Sequence, residues 1–593
     1  MNPADRDPGG PLEGGSRESA LVRLVFAGVA LSLVAVPFLA VRYAPLTDLP
    51  QQAAQVRLLL EALADPAGPY RVQWFAPNTL ALGVLALSWA ASTPVAAGRL
   101  AMLLLAVGWV TAVHGLAWRR GRPAAAAVLA STLVFSQGLY WGFYSFVLGF
   151  PFFAGWLLLT LDGASAEAGA EAAGAGSGTG AGAGDREREH ASRPRRRAPL
   201  WFALALALYL AHALWLAAGL VWLALDTALR WRRRPAASHL ARWLGVAPVA
   251  ALAAWWFGGI GATEFATPAQ FADPVWARLR PDHLAGAAFG GLRGPVEPAL
   301  LALLLGWLAL SVITNRSLRG RGGDTGLAAA GGLLLAGALL LPDKFTGTIH
   351  FADRWLPPAL ALLLLAAPPP RLRRSVLAAV AVAVLAAQTL LTAAVWRRVE
   401  AEELSGLDAA LAALPAEPRV IGLHLGPPSR YLRSAPLGHV VAYSQALRGG
   451  ELNFSFAELP SSTVVYRHLR ETPWTSLLEL VPQRVQRDDF AHFEFALIDG
   501  TDALHAEVAA GDVLEPVTGE GRWRLYRVLP PPAAPSGGPA AAPGDPALPA
   551  TPGDPAPPAG SGDPPPAEPG AGPPSSAAPA ASPPPLPPAA PPP

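Results

Sequence analysis

The sequence has no cysteine, a single lysine and few charged residues. Of its 593 residues, 15% are charged and 52% are hydrophobic, and Lys344 is the one lysine. The absence of cysteine excludes disulfide bonds, thiolate metal sites and cysteine nucleophiles. Soluble domains carry about 25% charged residues, so a chain of this length and composition is not built around one soluble core.

The apolar residues are concentrated in blocks that fit a bilayer. A transmembrane helix needs about 20 apolar residues, and fewer where the bilayer thins. The block Leu21–Val41 lacks a small-residue cleavage site and is therefore predicted to be a first span rather than a cleaved signal. The other predicted spans are Gly98–Trp118, Ala124–Leu139, Phe143–Leu161, Leu200–Leu229, Leu244–Phe257, Ala299–Ile313, Leu327–Leu341, Trp355–Ala367 and Val376–Trp396.

Clusters of arginine orient these spans, because positive charge lies on the cytoplasmic side. The arginine clusters that flank the spans can all lie on the cytoplasmic side of the membrane only if two conditions hold. Leu200–Leu229 must be a helical hairpin with His212 near its outer tip, and Thr79–Ala91 must lie on the outer face as an interfacial helix. The prediction is then about eleven spans, with the N-terminus inside and the C-terminus outside.

The predicted fold is an all-α polytopic transmembrane bundle with a small extracytoplasmic α/β domain and a disordered tail rich in proline and alanine. Low-complexity Gly/Ala and Pro/Ala composition predicts disorder in one cytoplasmic loop and in the tail. The predicted parts are a cytoplasmic segment (1–20), the bundle (21–402) with outer loops 42–97, 258–298 and 342–355 and a disordered cytoplasmic loop 162–199, the α/β domain (403–528) and the tail (529–593).

The α/β domain is predicted from short strings of β-forming residues between turn residues. Long apolar runs end before residue 403, and one amphipathic stretch separates the strings. The strings are RVIGLHL, HVVAY, SSTVVYRHL, FEFALIDG and RWRLYRV.

Asp48 is the candidate catalytic residue, because it follows the first span by a few residues and would lie at the boundary between membrane and water. A carboxylate there could orient or deprotonate an acceptor hydroxyl while a lipid-borne substrate occupies the adjacent leaflet. The alternative is that residues 47–50 form an ordinary turn and helix cap.

The short outer loop 342–355 contains Lys344, His350, Asp353 and Arg354 between two apolar spans. A cation there could neutralise a lipid phosphate through charge-assisted hydrogen bonds. The alternative is that Lys344 and Arg354 only anchor helix ends by reaching to the membrane surface. The polar residues of the loop 258–298, which include Arg278 and His283, form either a substrate rim or a solvated face.

Several familiar kinds of chemistry have no motif in the chain. It contains no phosphate-binding GxxxxGK[ST], no HExxH, no GxSxG and no EF-hand loop. The arginine clusters flank apolar blocks, so no nucleic acid is expected as a partner. No metal site is predicted. No charged residue lies convincingly within a span, which argues against an ion-coupled transporter.

Several strings resemble a group of bacterial membrane proteins within or near the GT-C superfamily of membrane glycosyltransferases. They are PLTDLPQQAAQV, WFAPNTLALGVL, YWGFYSFVLGFP, LYLAHALW and FADRWLPPALALLLLA, and the resemblance covers about Leu21 to Val528. In that superfamily the acidic residue of the first loop is the usual candidate base, and Asp48 has the matching position. The narrower group is expected to show DxPxH, whereas Gln52 stands here in the place of the histidine.

The resemblance implies transfer of a sugar from a polyprenyl-phosphate carrier to an acceptor at the outer face of the bacterial cytoplasmic membrane. It implies the membrane lipid and the lipid-linked donor as partners, with no separate cofactor. The predicted catalytic residue is Asp48. The residues predicted to bind substrate are Gln52, Arg57, Lys344, His350, Asp353 and Arg354.

A second hypothesis from another class is a non-catalytic membrane scaffold whose outer α/β domain binds partners. The missing histidine and the long low-complexity extensions favour it. A lipid or polysaccharide transporter is a third hypothesis, and the shortage of charge within the spans argues against it.

Overall fold

A computed structural model describes residues 18–174, 198–232, 236–260, 268–315, 323–345, 348–468 and 470–530. The predicted disordered tail (529–593) lies outside them except for its first two residues. Most of the predicted cytoplasmic loop (162–199) also lies outside them, although the helix that precedes it continues to Gly174. The described residues form a helical bundle and a C-terminal α/β domain.

The helical bundle follows the apolar blocks of the sequence. Its helices start at residues that supply backbone hydrogen bonds: Ser19 accepts from the Val22 N–H, and Thr93, which precedes Pro94, accepts from the Ala96 N–H. The helices are α1 (Ala20–Ala40), α2 (Leu49–Ala64), α3 (Thr79–Ala91), α4 (Pro94–Arg119), α5 (Ala124–Ser131), α6 (Gln137–Tyr140), α7 (Tyr144–Gly174), α8 (Ala198–Ala211), α9 (Ala213–Arg230), α10 (Ala236–Ile260), α11 (Val275–Arg278), α12 (Pro281–Ala288), α13 (Val296–Asn315), α14 (Thr325–Leu340), α15 (Leu356–Ala366) and α16 (Arg374–Arg398).

Seven helices of the described residues are long and apolar enough to cross a membrane. They lie in α1, α4, α7, α9, α10, α13 and α16. The segments Thr79–Ala91, Ala124–Tyr140, Ala198–Ala211 and Thr325–Leu340 are apolar but shorter. The predicted span Ala124–Leu139 is not one continuous α-helix, because a 3-10 turn at Thr132–Val134 separates α5 from α6. The total of about eleven crossings therefore stays a prediction.

Helices α8 and α9 pack on each other as the predicted hairpin at His212 requires, and the side of the membrane on which its tip lies stays a prediction. His212 has extended backbone between the two helices, and its Nδ1 accepts from the Leu214 N–H. A Cβ on Gly219 would lie 3.2 Å from Cδ1 of Leu208, so the two helices fold back on each other. The Tyr209 hydroxyl donates to the Phe75 carbonyl. Phe75 belongs to the predicted outer loop 42–97, called the first outer loop below, so the hairpin tip lies beside that loop.

The C-terminal α/β domain contains a five-stranded mixed sheet in the order β3-β2-β5-β7-β6. Strands β3, β2 and β5 are parallel, and β7 and β6 continue the sheet antiparallel. The bounds are α17 (Leu407–Ala413), β2 (Arg419–His424), α18 (Ala442–Arg448), β3 (Glu451–Leu452), β4 (Val464–Tyr466), β5 (Phe495–Asp499), α19 (Asp502–Ala510), β6 (Leu514–Pro516) and β7 (Trp523–Val528).

Three of the predicted strings are strands of this sheet, namely those containing β2, β5 and β7. The prediction for HVVAY (His439–Tyr443) is wrong: these residues form a turn that leads into α18. Its Val440 and Val441 are β-branched, but tertiary packing overrides that weak local preference. The string SSTVVYRHL contains β4, which pairs with the first outer loop instead of the main sheet.

The C-terminal α/β domain is joined to the first outer loop by backbone pairing and packing. Strand β1 (Tyr70–Val72) of that loop pairs antiparallel with β4. Helix α18 packs on α2. Beside this contact, the ring of Tyr443 in α18 lies 4.9 Å from the ring of Tyr43, which precedes α2 in the chain. The first outer loop is therefore sandwiched between the bundle and the C-terminal α/β domain.

Candidate functional site

Asp48 immediately precedes α2, which begins Leu49-Pro50 as helices with an early proline commonly do. Its side chain makes no capping hydrogen bond to that helix. Thr47 and Asp48 do form a turn and Asp48 is the N-cap residue of α2, as the alternative predicts, but the cap lacks the usual side-chain hydrogen bond. Its backbone N–H donates to the Trp141 carbonyl at 3.2 Å, which ties the start of α2 to the turn before α7.

The Asp48 carboxylate lies in a tight environment that shields most of it from solvent. Gly142, at φ +83°, lets the neighbouring turn approach so closely that a Cβ there would lie 2.7 Å from the Asp48 Cβ. The Asp48 side chain keeps 17% of its surface accessible, so a substrate can still reach it. Burial raises the pKa of Asp48 to about 7, although the Arg354 cation acts to lower it. A carboxylate with such a pKa is suited to accept a proton near neutral pH.

Arg354 provides a buried cation in the same site. It belongs to the 3-10 turn Asp353–Trp355 that starts α15, and its guanidinium carbon lies 3.6 Å from the ring centre of Phe143. One Nη donates to the Ile349 carbonyl at 2.8 Å, whereas the buried Nε–H has no acceptor among the described residues. Burial lowers the pKa of Arg354 to about 9, opposed by Asp48 and Asp353, so the group remains a cation at neutral pH.

Asp353 holds two histidines beside this cation. Its carboxylate oxygens lie 3.3 Å from Nε2 of His283 and 3.2 Å from Nδ1 of His350. Burial alone would raise the pKa of Asp353, but the two histidines hold it well below its usual range. The backbone of His350 is left-handed, at φ +51°, which is costly for a residue with a side chain. The Gln137 amide lies 3.0 Å from its Nδ1.

Gln52 lies one turn along α2 from Asp48 and accepts a hydrogen bond from the Tyr144 hydroxyl at 2.7 Å. It lines a cavity of about 140 Å³ between the first outer loop and the C-terminal α/β domain. Most of the lining is polar, from residues Gln52, Gln55, Asn78, Leu82, Phe456, Leu459, Ser461, Ser462 and Thr463. Such a lining is suited to a ligand with several hydroxyl groups.

The structure does not bring Arg57 or Lys344 into this group. Arg57 lies about two and a half turns beyond Asp48, on the opposite side of α2, and pairs with Glu61 at 2.7 Å. Lys344 exchanges backbone hydrogen bonds with Gln270, and no contact of its side chain with Asp48 is present in the described parts of the chain. The prediction that both bind substrate has no geometric support.

Residues from two other regions join the site, and the sequence did not link either of them to Asp48. His439 of the C-terminal α/β domain has its Nε2 3.6 Å from Asp48 Oδ1. His283 was predicted only as part of a substrate rim or a solvated face. Arg278 of the same loop does not contact Asp48 in the described residues; it is buried against Asp343 and the end of α14. No local pattern links these residues to Asp48, because chain folding alone brings them together.

Comparisons with known proteins complete this description. No protein-family model and no curated protein sequence matches the chain, and within its described residues no group of three or more His, Asp or Glu side chains could hold a metal ion. Among solved structures the chain is similar to ArnT from Cupriavidus metallidurans bound to undecaprenyl phosphate, with 14% identity, a TM-score of 0.48 and coverage of 86% of this chain and 98% of that chain. It is also similar to the arabinofuranosyltransferase AftD from Mycobacteria, with 17% identity, a TM-score of 0.42 and coverage of 86% of this chain and 42% of that chain.

Proposed function

We propose that this protein is a membrane glycosyltransferase that moves a sugar from a polyprenyl-phosphate carrier to an acceptor hydroxyl at the outer face of the cytoplasmic membrane. One observation carries the proposal: a carboxylate with a pKa of about 7 and a buried arginine lie close enough to influence each other's charge. Glycosyl transfer from a lipid phosphate needs a base for the acceptor and a cation for the departing phosphate.

The reaction is an inverting displacement at C1 of the sugar. The acceptor oxygen forms a bond to C1 while the bond from C1 to the phosphate oxygen breaks, and the electron pair of that bond leaves with the phosphate. The acceptor proton moves to Asp48. Arg354 stabilises the negative charge that grows on the phosphate, and its unpaired Nε–H is available as a donor.

The surrounding residues support this division of roles. The two histidines lie against Asp353, and the Nε–H of Arg354 has no acceptor among the described residues, so this donor can meet a phosphate. The polar cavity beside Gln52 lies on the side of the C-terminal α/β domain and suits an acceptor with hydroxyl groups.

An Asp48→Asn variant tests the proposal. The purified full-length protein in lipid is given a panel of radiolabelled polyprenyl-phosphate sugars, and release and transfer of sugar are followed. Transfer should fall about a hundredfold to ten-thousandfold in Asp48→Asn, the usual contribution of a general base. In the wild type, transfer should decline as the pH falls through about 7, because the protonated carboxyl cannot accept a proton.

The control is Asp65→Asn at the other end of α2, where the carboxylate is exposed. It should transfer sugar like the wild type. Equal turnover by the wild type and Asp48→Asn would contradict the site assignment. An absence of turnover with every donor in the panel would favour the scaffold hypothesis.

A further inference from the structure

His439 approaches Asp48 from the C-terminal α/β domain. It lies in the turn before α18, with its Nε2 3.6 Å from Asp48 Oδ1 and 14% of its side chain accessible. Its ring is stacked 5.8 Å from the Phe454 ring and meets the Phe456 ring edge-on at 5.6 Å. These two aromatic neighbours restrict the orientation of the imidazole.

The same helix that starts at Asp48 holds the surroundings of His439 in place. The Gln51 amide donates to the Phe454 carbonyl at 3.1 Å, and its oxygen accepts from the Phe456 N–H at 3.1 Å. Gln55, one turn on, makes the same two bonds to the backbone of Val464. These hydrogen bonds between α2 and the C-terminal α/β domain therefore hold the Asp48 carboxylate and the His439 imidazole next to each other.

The protonation state of His439 limits what it can do. Burial lowers its pKa to about 4, so the imidazole is neutral at neutral pH and is not a counter-cation. A neutral imidazole is a hydrogen-bond donor at one ring nitrogen. The Nε2–Oδ1 distance of 3.6 Å is about 0.6 Å longer than a normal hydrogen bond, so the bond requires a small shift of either side chain.

We infer that His439 is a positioning residue: it donates its Nε2–H to Asp48, orients that carboxylate and favours its ionised form. The inference deepens the proposed function and rests on it for the role of Asp48. It makes the C-terminal α/β domain a structural part of the reaction centre instead of a separate binding module.

Other charged and titratable groups face this pair and must be kept constant in a test. Arg354 and the Tyr144 hydroxyl face Asp48 from the bundle. On the other side, His439 lines a small cavity that His424 and Glu479 also line. None of these groups is altered by a substitution at His439.

The test is a titration of Asp48 that needs no substrate. The full-length protein in lipid nanodiscs is titrated by infrared difference spectroscopy, and the protonated carboxyl band of Asp48 is identified by its loss in Asp48→Asn. The His439→Phe variant keeps an aromatic ring against Phe454 and Phe456 but has no donor. It should raise the midpoint of Asp48 by roughly half to one pH unit, because a hydrogen bond to the ionised form is lost.

Two further variants separate positioning from mere packing. His439→Gln retains an N–H donor and should return the midpoint of Asp48 towards the wild-type value. His439→Leu also lacks a donor, should raise the midpoint by the amount expected for His439→Phe, and replaces that variant if it does not fold. His468→Leu, at an exposed histidine of the same domain, should leave the midpoint unchanged.

An unchanged midpoint in the donor-free variants, or an equal shift in His439→Gln, would overturn the inference. Because the titration needs no turnover, either outcome can be read even if no glycosyl transfer is found. If transfer is found, the acid limb of the pH profile of kcat/KM should move with the midpoint. A moved midpoint without transfer would leave the positioning role intact and count against the proposed function alone.

Discussion

At the scale of single residues, the candidate site depends on two opposite charges, Asp48 and Arg354, that are largely buried from water. Burial favours the neutral form of Asp48 and of Arg354, whereas each favours the charged form of the other. Asp48 therefore titrates near neutral pH, and Arg354 stays charged. The Phe143 ring beneath the guanidinium adds a cation–π contact, which is stronger where water is excluded.

Arg354→Lys should raise the KM for the lipid-linked donor about tenfold, because lysine keeps the charge but loses the planar face on Phe143 and the multiple donors. Arg354→Gln should lower kcat/KM about a hundredfold, a loss of roughly 2.7 kcal/mol of transition-state stabilisation. Steady-state kinetics with the donor that wild type accepts would measure both.

Arg280→Lys is the matched control, since Arg280 is exposed and pairs only with Asp282 at 3.0 Å. Its kinetic constants should equal those of the wild type. Wild-type kinetics in Arg354→Gln would instead show that this arginine merely anchors a helix end.

The sequence allowed Asp48, Gln52, His350, Asp353 and Arg354 to be predicted, because polar residues between apolar blocks have few reasons to be there. The structure brings these five residues into one region. Arg57 lies about 180° around the helix from Asp48, so its proximity in sequence does not place it on the same face, and a role in substrate binding stays a prediction without geometric support. Lys344 is engaged through its backbone at the edge of the loop.

At the scale of elements, α2 is the helix on which the site depends. Its first end carries Asp48, and Gln51 and Gln55 lie one turn apart on the face that bonds to the C-terminal α/β domain. Each glutamine donates to one backbone group and accepts from another: Gln51 bonds to Phe454 and Phe456, and Gln55 to Val464 of β4. Removing Gln55 would leave the buried backbone groups of Val464 without these partners, at a cost of about 1–3 kcal/mol for each group.

The turn before α7 lies close to the start of α2. Gly142→Ala should lower kcat/KM at least tenfold, because the added methyl would meet the Asp48 Cβ and backbone nitrogen at 2.7 Å and the residue must also keep a positive φ. The same transfer assay measures the activity, and thermal unfolding in detergent reports the accompanying loss of stability.

Gly83→Ala in α3 provides the comparison, since a Cβ there meets no heavy atom within 4 Å. Alanine is the better helix former by about 1 kcal/mol, so this variant should be as active and at least as stable as the wild type. Undiminished activity in Gly142→Ala would mean that the start of α2 can shift without harm.

At the scale of the whole molecule, the bundle and the C-terminal α/β domain are not independent. Strand β1 pairs with β4, the Tyr43 hydroxyl donates to Asp408 at 2.6 Å, and the Trp523 indole donates to the Glu403 carbonyl at the end of the last long helix. The two parts are therefore expected to unfold together rather than in sequence.

The predicted orientation in the membrane can be tested because the natural chain has no cysteine. Asp512→Cys, at a side chain 72% exposed in the C-terminal α/β domain, should react with a membrane-impermeant maleimide in intact bacteria. Arg371→Cys, exposed in a predicted cytoplasmic loop, should react only after the cells are permeabilised. The opposite labelling pattern would reverse the topology and place the site on the inner face.

Composition and local periodicity were enough to predict an apolar helical bundle, the hairpin at His212, three strands of the sheet and the polar residues beside the first span. Only the packing of the folded chain shows that His439, Tyr144 and His283 lie with Asp48 and Arg354, that HVVAY forms a turn and that Arg57 faces away. The physical reason is that hydrophobic patterning reports which side of a segment is buried. Which residues from distant parts of the chain contact that buried side depends on how the helices and the sheet pack in three dimensions.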